Sequence, residues 1–161
     1  MRNAFLGERH EMTTNNDLKH FDLKHFAGRE LLFFRSFFLI AALWNFAGAL
    51  PGLFDSAGML AREFGRDLTD PVMVSVYRGA WGTAFLYGFG FLMVAWNPVR
   101  HTGVVLIGGV GKALFALNLA YMYLNGWTSD FAIVVVGGDI IFVALFLVYF
   151  ARLRRLGHSL I

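Results

Sequence analysis

The sequence predicts an all-α fold: an integral membrane four-helix bundle with both termini in the cytoplasm. Four apolar stretches cover residues 31–49, 72–96, 102–124 and 131–151. Each is close to the ~20 helical residues that cross a hydrocarbon core about 30 Å thick. Charged residues make up 16% of the chain, whereas a soluble domain carries about 25%. Stretch length, composition and the placement of the basic residues together indicate a membrane protein.

The basic residues predict the orientation of these spans. Nine Lys and Arg lie in residues 1–30, in the 97–101 connection and in the 152–161 tail, but only two lie in the opposite loops, 51–71 and 125–130. Cytoplasmic loops are enriched in Lys and Arg, so residues 1–30 are expected to be a polar cytoplasmic segment and residues 152–161 a basic cytoplasmic tail. Because the basic residues are scattered over the span ends, they form no patch that would bind nucleic acid.

Residues 1–30 contain a tandem repeat, in which the sequence Asp-Leu-Lys-His-Phe occurs twice within residues 17–26. Its period matches neither the helical nor the strand periodicity, so this segment is expected to be mobile or interfacial. An alternative is a membrane-surface anchor whose Leu and Phe side chains enter the headgroup region. No metal site is expected, because the i, i+4 spacing of a helical metal pair is lacking among His10, His20 and His25.

The 51–71 loop is the longest connection, and it is expected to hold a short amphipathic helix on the outer surface. Asp55 or Ser56 would cap that helix. Its apolar face would consist of Ala57, Leu60, Ala61 and Phe64. The other two connections are short, so the last three spans are expected to pack as antiparallel neighbours.

Five polar side chains inside the spans are expected to cluster in the outer half of the membrane: Asn45, Arg78, Lys112, Asn118 and Asp139. At a rise of ~1.5 Å per residue, Lys112 falls near the midplane, Asp139 lies ~3 Å outward and Arg78 lies ~9 Å outward. A lone charge at the bilayer centre costs about 3 kcal/mol. Asp139 is therefore expected to face Lys112, Arg78 or both.

This polar cluster has two interpretations, and the sequence does not decide between them. In the structural interpretation, an ion pair fixes the register of the helices, and the asparagines form hydrogen bonds between helices. In the functional interpretation, the two cations exceed the single carboxylate, and the surplus positive charge attracts a ligand. Such a ligand would be an anionic headgroup, a carboxylate or a polar quinone ring.

The spans contain no catalytic or cofactor-binding motif. Asp139 is the only acid in them, no histidine lies in any of them, and the chain has no cysteine. The Gly-Lys sequence at 111–112 lacks the rest of a phosphate-binding loop, since Leu106 and Ala113 stand where a Gly and a Ser or Thr are required. No catalytic residue, metal ligand or cofactor is therefore expected.

Three short segments resemble a pattern found in small bacterial membrane proteins of this size: Gly111-Lys112, Gly138-Asp139 and the basic residues of 152–155. With its compact spans and cytoplasmic termini, the chain resembles the DoxX-like proteins and their relatives over most of its length, from about residue 31 to residue 155. The resemblance implies a multi-pass protein of the bacterial cytoplasmic (inner) membrane. It implies no activity and no catalytic residue.

The expected function is non-enzymatic: a cavity in the outer half of the membrane binds a small polar or anionic ligand, a lipid headgroup or a partner. Besides the lipid bilayer, that partner would be another membrane protein or a second copy of the chain. An alternative is a small transporter or proton-linked carrier, in which Asp139 titrates and Lys112 is its partner. A second alternative is a membrane enzyme acting on a lipid or quinone, which the lack of a second acid or a histidine in the spans disfavours.

Overall fold

The computed structural model of the protein describes residues 28–67 and 69–158, which form five helices. These are α1 (Gly28–Phe54), α2 (Ser56–Phe64), α3 (Pro71–Trp96), α4 (Thr102–Leu124) and α5 (Phe131–Arg155). The predicted all-α class is confirmed. The tandem repeat at 17–26 and the three histidines His10, His20 and His25 lie outside the described residues.

Four of the helices, α1, α3, α4 and α5, are long and apolar enough to cross a membrane. They contain 27, 26, 23 and 25 residues, compared with the ~20 that a bilayer requires. α1 continues beyond its predicted end at residue 49 and includes Pro51. A proline removes one backbone donor, yet the helix continues to Phe54, and the Asp55 N–H donates to the Pro51 carbonyl at 2.8 Å.

Capping residues set the ends of α2 and the start of α3. The Asp55 side chain accepts a hydrogen bond at 3.1 Å from the backbone N–H three residues later. The Asp70 side chain accepts one from the Val72 N–H at 2.7 Å, and Pro71 occupies the first turn of α3, where no N–H is needed. Gly65 follows α2 as its C-terminal cap, and its φ of 61° lies in the left-handed region that glycine adopts most easily.

The face that α2 buries differs in part from the predicted one: Leu60, Ala61 and Phe64 are half-buried as the prediction requires, but the residues buried most deeply are others. Ser56 and Met59 are buried, whereas Ala57 is exposed. The Ser56 hydroxyl donates to the Gly52 carbonyl at 2.5 Å, which holds the first residue of α2 against the end of α1. A pattern of apolar residues does not reveal this contact, because a serine counts as polar in it.

The C-terminal end of α2 is held in place through Glu63. Its carbonyl accepts the Ser129 N–H at 2.7 Å and the Thr128 hydroxyl at 2.9 Å. Its carboxylate accepts the Tyr77 hydroxyl at 2.9 Å. Burial raises the pKa of the Glu63 carboxyl, while the Tyr77 hydrogen bond and the charge of Arg62 oppose that rise. α2 is therefore fixed both to α3 and to the segment before α5.

The long helices pack in two close pairs, α1 with α3 and α4 with α5, and aromatic side chains fill the space between the pairs. The buried rings are Phe34, Phe37, Phe38, Phe91, Phe142, Phe146 and Tyr149. The Tyr149 hydroxyl donates to the Pro98 carbonyl, and Arg152 pairs with Glu30. This aromatic core lies in the half of the molecule that contains the start of α1 and the end of α5.

Candidate functional site

A lysine–aspartate ion pair lies in the middle of α4 and α5. Nζ of Lys112 is 2.6 Å from Oδ1 of Asp139, and the two residues are only 8% and 4% exposed. Both side chains project from apolar helices, so each charge is desolvated and requires the other. Of the two partners predicted for Asp139, Lys112 and Arg78, the structure brings Lys112 to it.

Trp44 of α1 joins this pair. Its indole Nε1–H donates to the same oxygen, Oδ1 of Asp139, at 3.1 Å, so the carboxylate links three helices. The absence of a side chain at Gly138 makes room for the indole, because a Cβ there would lie 2.4 Å from Cζ2 of Trp44. The sequence did not identify Trp44, although a glycine directly before Asp139 is typical of a close approach to the backbone.

Phe142 completes the surroundings of the lysine. Nζ of Lys112 lies 5.1 Å from the centroid of the Phe142 ring, within the distance at which a cation is attracted to an aromatic face. The rings of Trp44 and Phe142 are 5.8 Å apart. The ammonium group therefore contacts a carboxylate and an aromatic ring, and the site adjoins the aromatic core.

The ion pair leaves part of its own hydrogen-bonding capacity unused. A lysine ammonium carries three donors, and within the described residues Lys112 uses one of them, on Asp139. Among the same residues, Oδ2 of Asp139 accepts no hydrogen bond. The remaining donors and the second carboxylate oxygen thus make no hydrogen bond to any described residue.

Tyr87 of α3 brings a further hydroxyl close to α4. Its oxygen would lie 4.0 Å from a Cβ at Gly111, the residue before Lys112. Tyr87 is half-buried, and its hydroxyl makes no hydrogen bond to any residue that the structure describes. Aromatic residues are common in apolar spans, so the sequence alone gave no reason to select this one.

Asn45 lies in the packed interface between α1 and α3. Its Nδ2 donates to the Ala84 carbonyl at 3.0 Å, while its Oδ1 is buried without a partner among the described residues. Asn45 therefore forms the hydrogen bond between helices that the structural interpretation predicts. No hydrogen bond connects it to Lys112 or Asp139 within the described part of the chain.

Arg78 and Asn118 do not belong to the buried site. Both are exposed. Arg78 forms no ion pair or hydrogen bond with any described residue, and Asn118 contacts Met122 of its own helix through an Nδ2–Sδ distance of 3.8 Å. The functional interpretation required a surplus of positive charge in the interior. Arg78 is exposed and does not supply that charge, and the buried pair is neutral. The physical reason is that a long arginine side chain can extend to the interface without entering the protein interior.

The chain matches no protein family, no curated protein and no solved structure. The resemblance to DoxX-like proteins therefore stays a prediction. In residues 28–67 and 69–158, no group of three or more His, Cys, Asp or Glu residues could hold a metal ion. The function of the chain has to be inferred from the geometry of its own side chains.

Substituting alanine at Gly138 is expected to disturb the bond between Trp44 and Asp139. The new Cβ would overlap the indole, so the ring must move, and overpacking of this kind commonly costs about 1–3 kcal/mol. Gly137→Ala is the matched control, because a Cβ at Gly137 meets nothing within 4 Å. Thermal unfolding in detergent should show a lower midpoint for Gly138→Ala than for Gly137→Ala. Equal midpoints for the two variants would contradict the packing of Trp44 against Gly138.

Proposed function

We propose that α1, α3, α4 and α5 span a bacterial cytoplasmic membrane as a four-helix bundle with both termini in the cytoplasm. Large apolar side chains such as Leu86, Ile107 and Leu147 are exposed on the long helices, and such surfaces suit contact with lipid better than contact with water. The excess of Lys and Arg on the side of the termini supports the orientation. The resemblance to DoxX-like proteins supports a bacterial membrane.

Reporter fusions test this topology. Fusions after Arg155 and within 97–101 are expected to be cytoplasmic, and fusions at Asp67 and Ser129 are expected to be external, because the basic residues lie at the former sites. Asp67 and Ser129 have to report the same side, since Ser129 bonds to Glu63 near the end of α2. An external C-terminus would contradict the proposed orientation.

We propose that the protein is not an enzyme and that it binds a small, polar, uncharged molecule at the Lys112–Asp139 pair. This proposal rests on the hydrogen-bonding groups that the pair leaves unused among the described residues. These are two N–H donors of Lys112 and Oδ2 of Asp139. A ligand with an acceptor for the ammonium and a donor for the carboxylate would satisfy both groups. A hydroxyl, an amide or a protonated carboxylic acid has that combination.

The charges of the site favour an uncharged ligand over an anion. Lys112 and Asp139 neutralise each other, and Arg78 is exposed and does not contribute its charge. An anion bound at the pair would leave a net negative charge in an apolar interior, where an uncompensated charge is costly. A lipid headgroup or a protein partner is also less favoured, because each needs an exposed surface and the pair is buried.

Small molecules extracted from the purified protein test this function. The informative variant is Lys112→Met/Asp139→Leu, which removes both charges together and leaves no unpaired one. Mass spectrometry is expected to find a compound in near-stoichiometric amount with the unmodified protein and with an Arg78→Gln control, and to find it missing from the double variant. The same small-molecule content in all three proteins would contradict the proposal.

A proton-linked carrier is the second candidate, and the shared oxygen of Asp139 favours it. Oδ1 accepts hydrogen bonds from both Lys112 and Trp44, so protonation of Asp139 would weaken its contacts with α4 and α1 at once. Titratable groups at membrane depth serve as proton relays in pumps and transporters. One proton could in this way change the packing of α1 against the α4–α5 pair.

Proton uptake into liposomes tests this second candidate. Liposomes that contain the protein and a trapped pH-sensitive dye are exposed to an acid pulse. The expected result is uptake faster than in protein-free liposomes, lost in Asp139→Asn and kept in Arg78→Gln, because only Asp139 is part of the buried pair. Uptake equal to that of protein-free liposomes would exclude a proton pathway.

A further inference from the structure

An open groove runs along α1 and α3 at the end of the molecule where α1 begins and α3 ends. Its volume is about 650 Å³, and it is lined by Arg35, Ser36, Leu39, Leu92, Ala95 and Trp96. Most of its wall is apolar, and Arg35 and Ser36 are the two polar residues that line it. The groove is separate from the Lys112–Asp139 pair, whose residues do not line it.

A helix terminus holds the guanidinium of Arg35 at this groove. Its Nη2 donates to the Trp96 carbonyl at 3.1 Å. That carbonyl belongs to the last turn of α3, where the helix itself leaves the oxygens without partners and the helix dipole is negative. The contact fixes the position of the arginine and occupies one of its five N–H donors.

The charge of Arg35 is not balanced by a carboxylate. Arg35 forms no ion pair with any described residue, whereas Arg152 at the same end of the molecule pairs with Glu30. Arg35 is also exposed on the outer surface of the helices. It is therefore a fixed cation with free donors next to an apolar channel.

We propose that this groove binds one anionic phospholipid, with its phosphate on Arg35 and an acyl chain along Leu39 and Leu92. A guanidinium matches a phosphate through parallel hydrogen bonds, and a long arginine side chain can direct its charged end toward the headgroups. Trp96, which is 83% exposed, lies where aromatic side chains concentrate at the membrane interface.

The lipid belongs to the cytoplasmic leaflet, an assignment that rests on the proposed orientation. The binding itself rests only on the groove and on the membrane-spanning helices. It is independent of the ligand proposed for Lys112 and Asp139, because the two sites share no residue. Failure of one proposal therefore leaves the other intact.

Native mass spectrometry of the full chain in detergent, titrated with phosphatidylglycerol or phosphatidylcholine, tests the lipid site. Both lipids offer a phosphate to Arg35, but the choline cation of phosphatidylcholine lies beside that phosphate and repels the guanidinium. The unmodified protein is therefore expected to bind one phosphatidylglycerol with about tenfold preference. Arg35→Gln should abolish this preference. Arg154→Gln, which removes the same charge from an exposed position on α5, should keep it.

A second variant is needed because Arg35 also contacts the end of α3. Leu39→Trp retains the arginine and fills the groove, so it is expected to lose bound phosphatidylglycerol while it remains folded. Equal binding of the two lipids by the unmodified protein would overturn the proposal. So would full binding by Leu39→Trp, or an equal loss in Arg35→Gln and Arg154→Gln, which would show that only overall charge matters.

Discussion

Replacing Asp139 with alanine is expected to lower the free energy of unfolding in detergent by about 3–5 kcal/mol, because Lys112 is then left buried and unpaired. The double variant Lys112→Ala/Asp139→Ala is expected to lose less, since no charge remains in the interior. The Trp44 indole loses its acceptor in both variants, so its contribution cancels when the two are compared. Denaturant unfolding followed by circular dichroism provides the free energies of the two single variants and the double variant.

The two single variants and the double variant at Lys112 and Asp139 form a double-mutant cycle. An exposed ion pair of the same chain is the control for it. Arg62 and Asp55 lie 3.2 Å apart with both side chains largely exposed. Their coupling energy is expected to be at most about 1 kcal/mol, as for other surface pairs. If the losses at Lys112 and Asp139 were additive, the two residues would not be energetic partners.

Alanine at Gly52 is expected to have the second large effect. A Cβ at Gly52 would lie 2.1, 2.2 and 2.5 Å from three atoms of the Trp81 ring, so the Trp81 ring cannot keep its present position between α1 and α3. The indole has to rotate or the helices have to separate. Overpacking costs about 1–3 kcal/mol, and loss of the Trp81 packing would bring the effect to the upper end of that range.

Gly79→Ala is the matched control for this substitution. Gly79 lies within α3, and a Cβ there meets nothing within 4 Å. Alanine is the better helix former by about 1 kcal/mol, so this variant should unfold at the same or a slightly higher denaturant concentration. If Gly52→Ala were as stable as Gly79→Ala, the contact between Gly52 and Trp81 would be refuted.

The long helices could be predicted from the sequence, because the length of each apolar stretch and the turn-forming residues beside it can be read directly from the order of the residues. Asn97-Pro98 is a turn signal, and α3 ends just before it at Trp96. The end of α1 at Phe54 could not be predicted in this way, since Pro51 is typical of a helix terminus. Gly52 lies in this last turn of α1, and it packs on Trp81 of α3. A contact between two helices of this kind could not be predicted from the sequence of either helix alone.

The sequence predicts the position of a residue along its helix better than it predicts the face of the helix on which the residue lies. Asp139 could be expected to pair with Lys112, Arg78 or both, because a buried charge needs a counter-charge wherever it points. The structure pairs it with Lys112. The exposure of Arg78 could not be foreseen, since these helices are apolar on all sides and no polar stripe marks the outward face. Because the rotation of α1 about its axis could not be predicted either, the sequence did not show that the Trp44 indole faces Asp139.

The most direct test of the proposed site is to measure the distance between the Lys112 ammonium and the Asp139 carboxylate in a lipid bilayer. Solid-state NMR with ¹⁵N-labelled lysine and ¹³C-labelled aspartate measures it, and Asp139→Asn identifies the signal. We expect a direct contact, as the Nζ–Oδ1 distance of 2.6 Å requires. A separation beyond the ~4 Å limit of an ion pair would contradict the buried neutral pair and the binding site proposed on it.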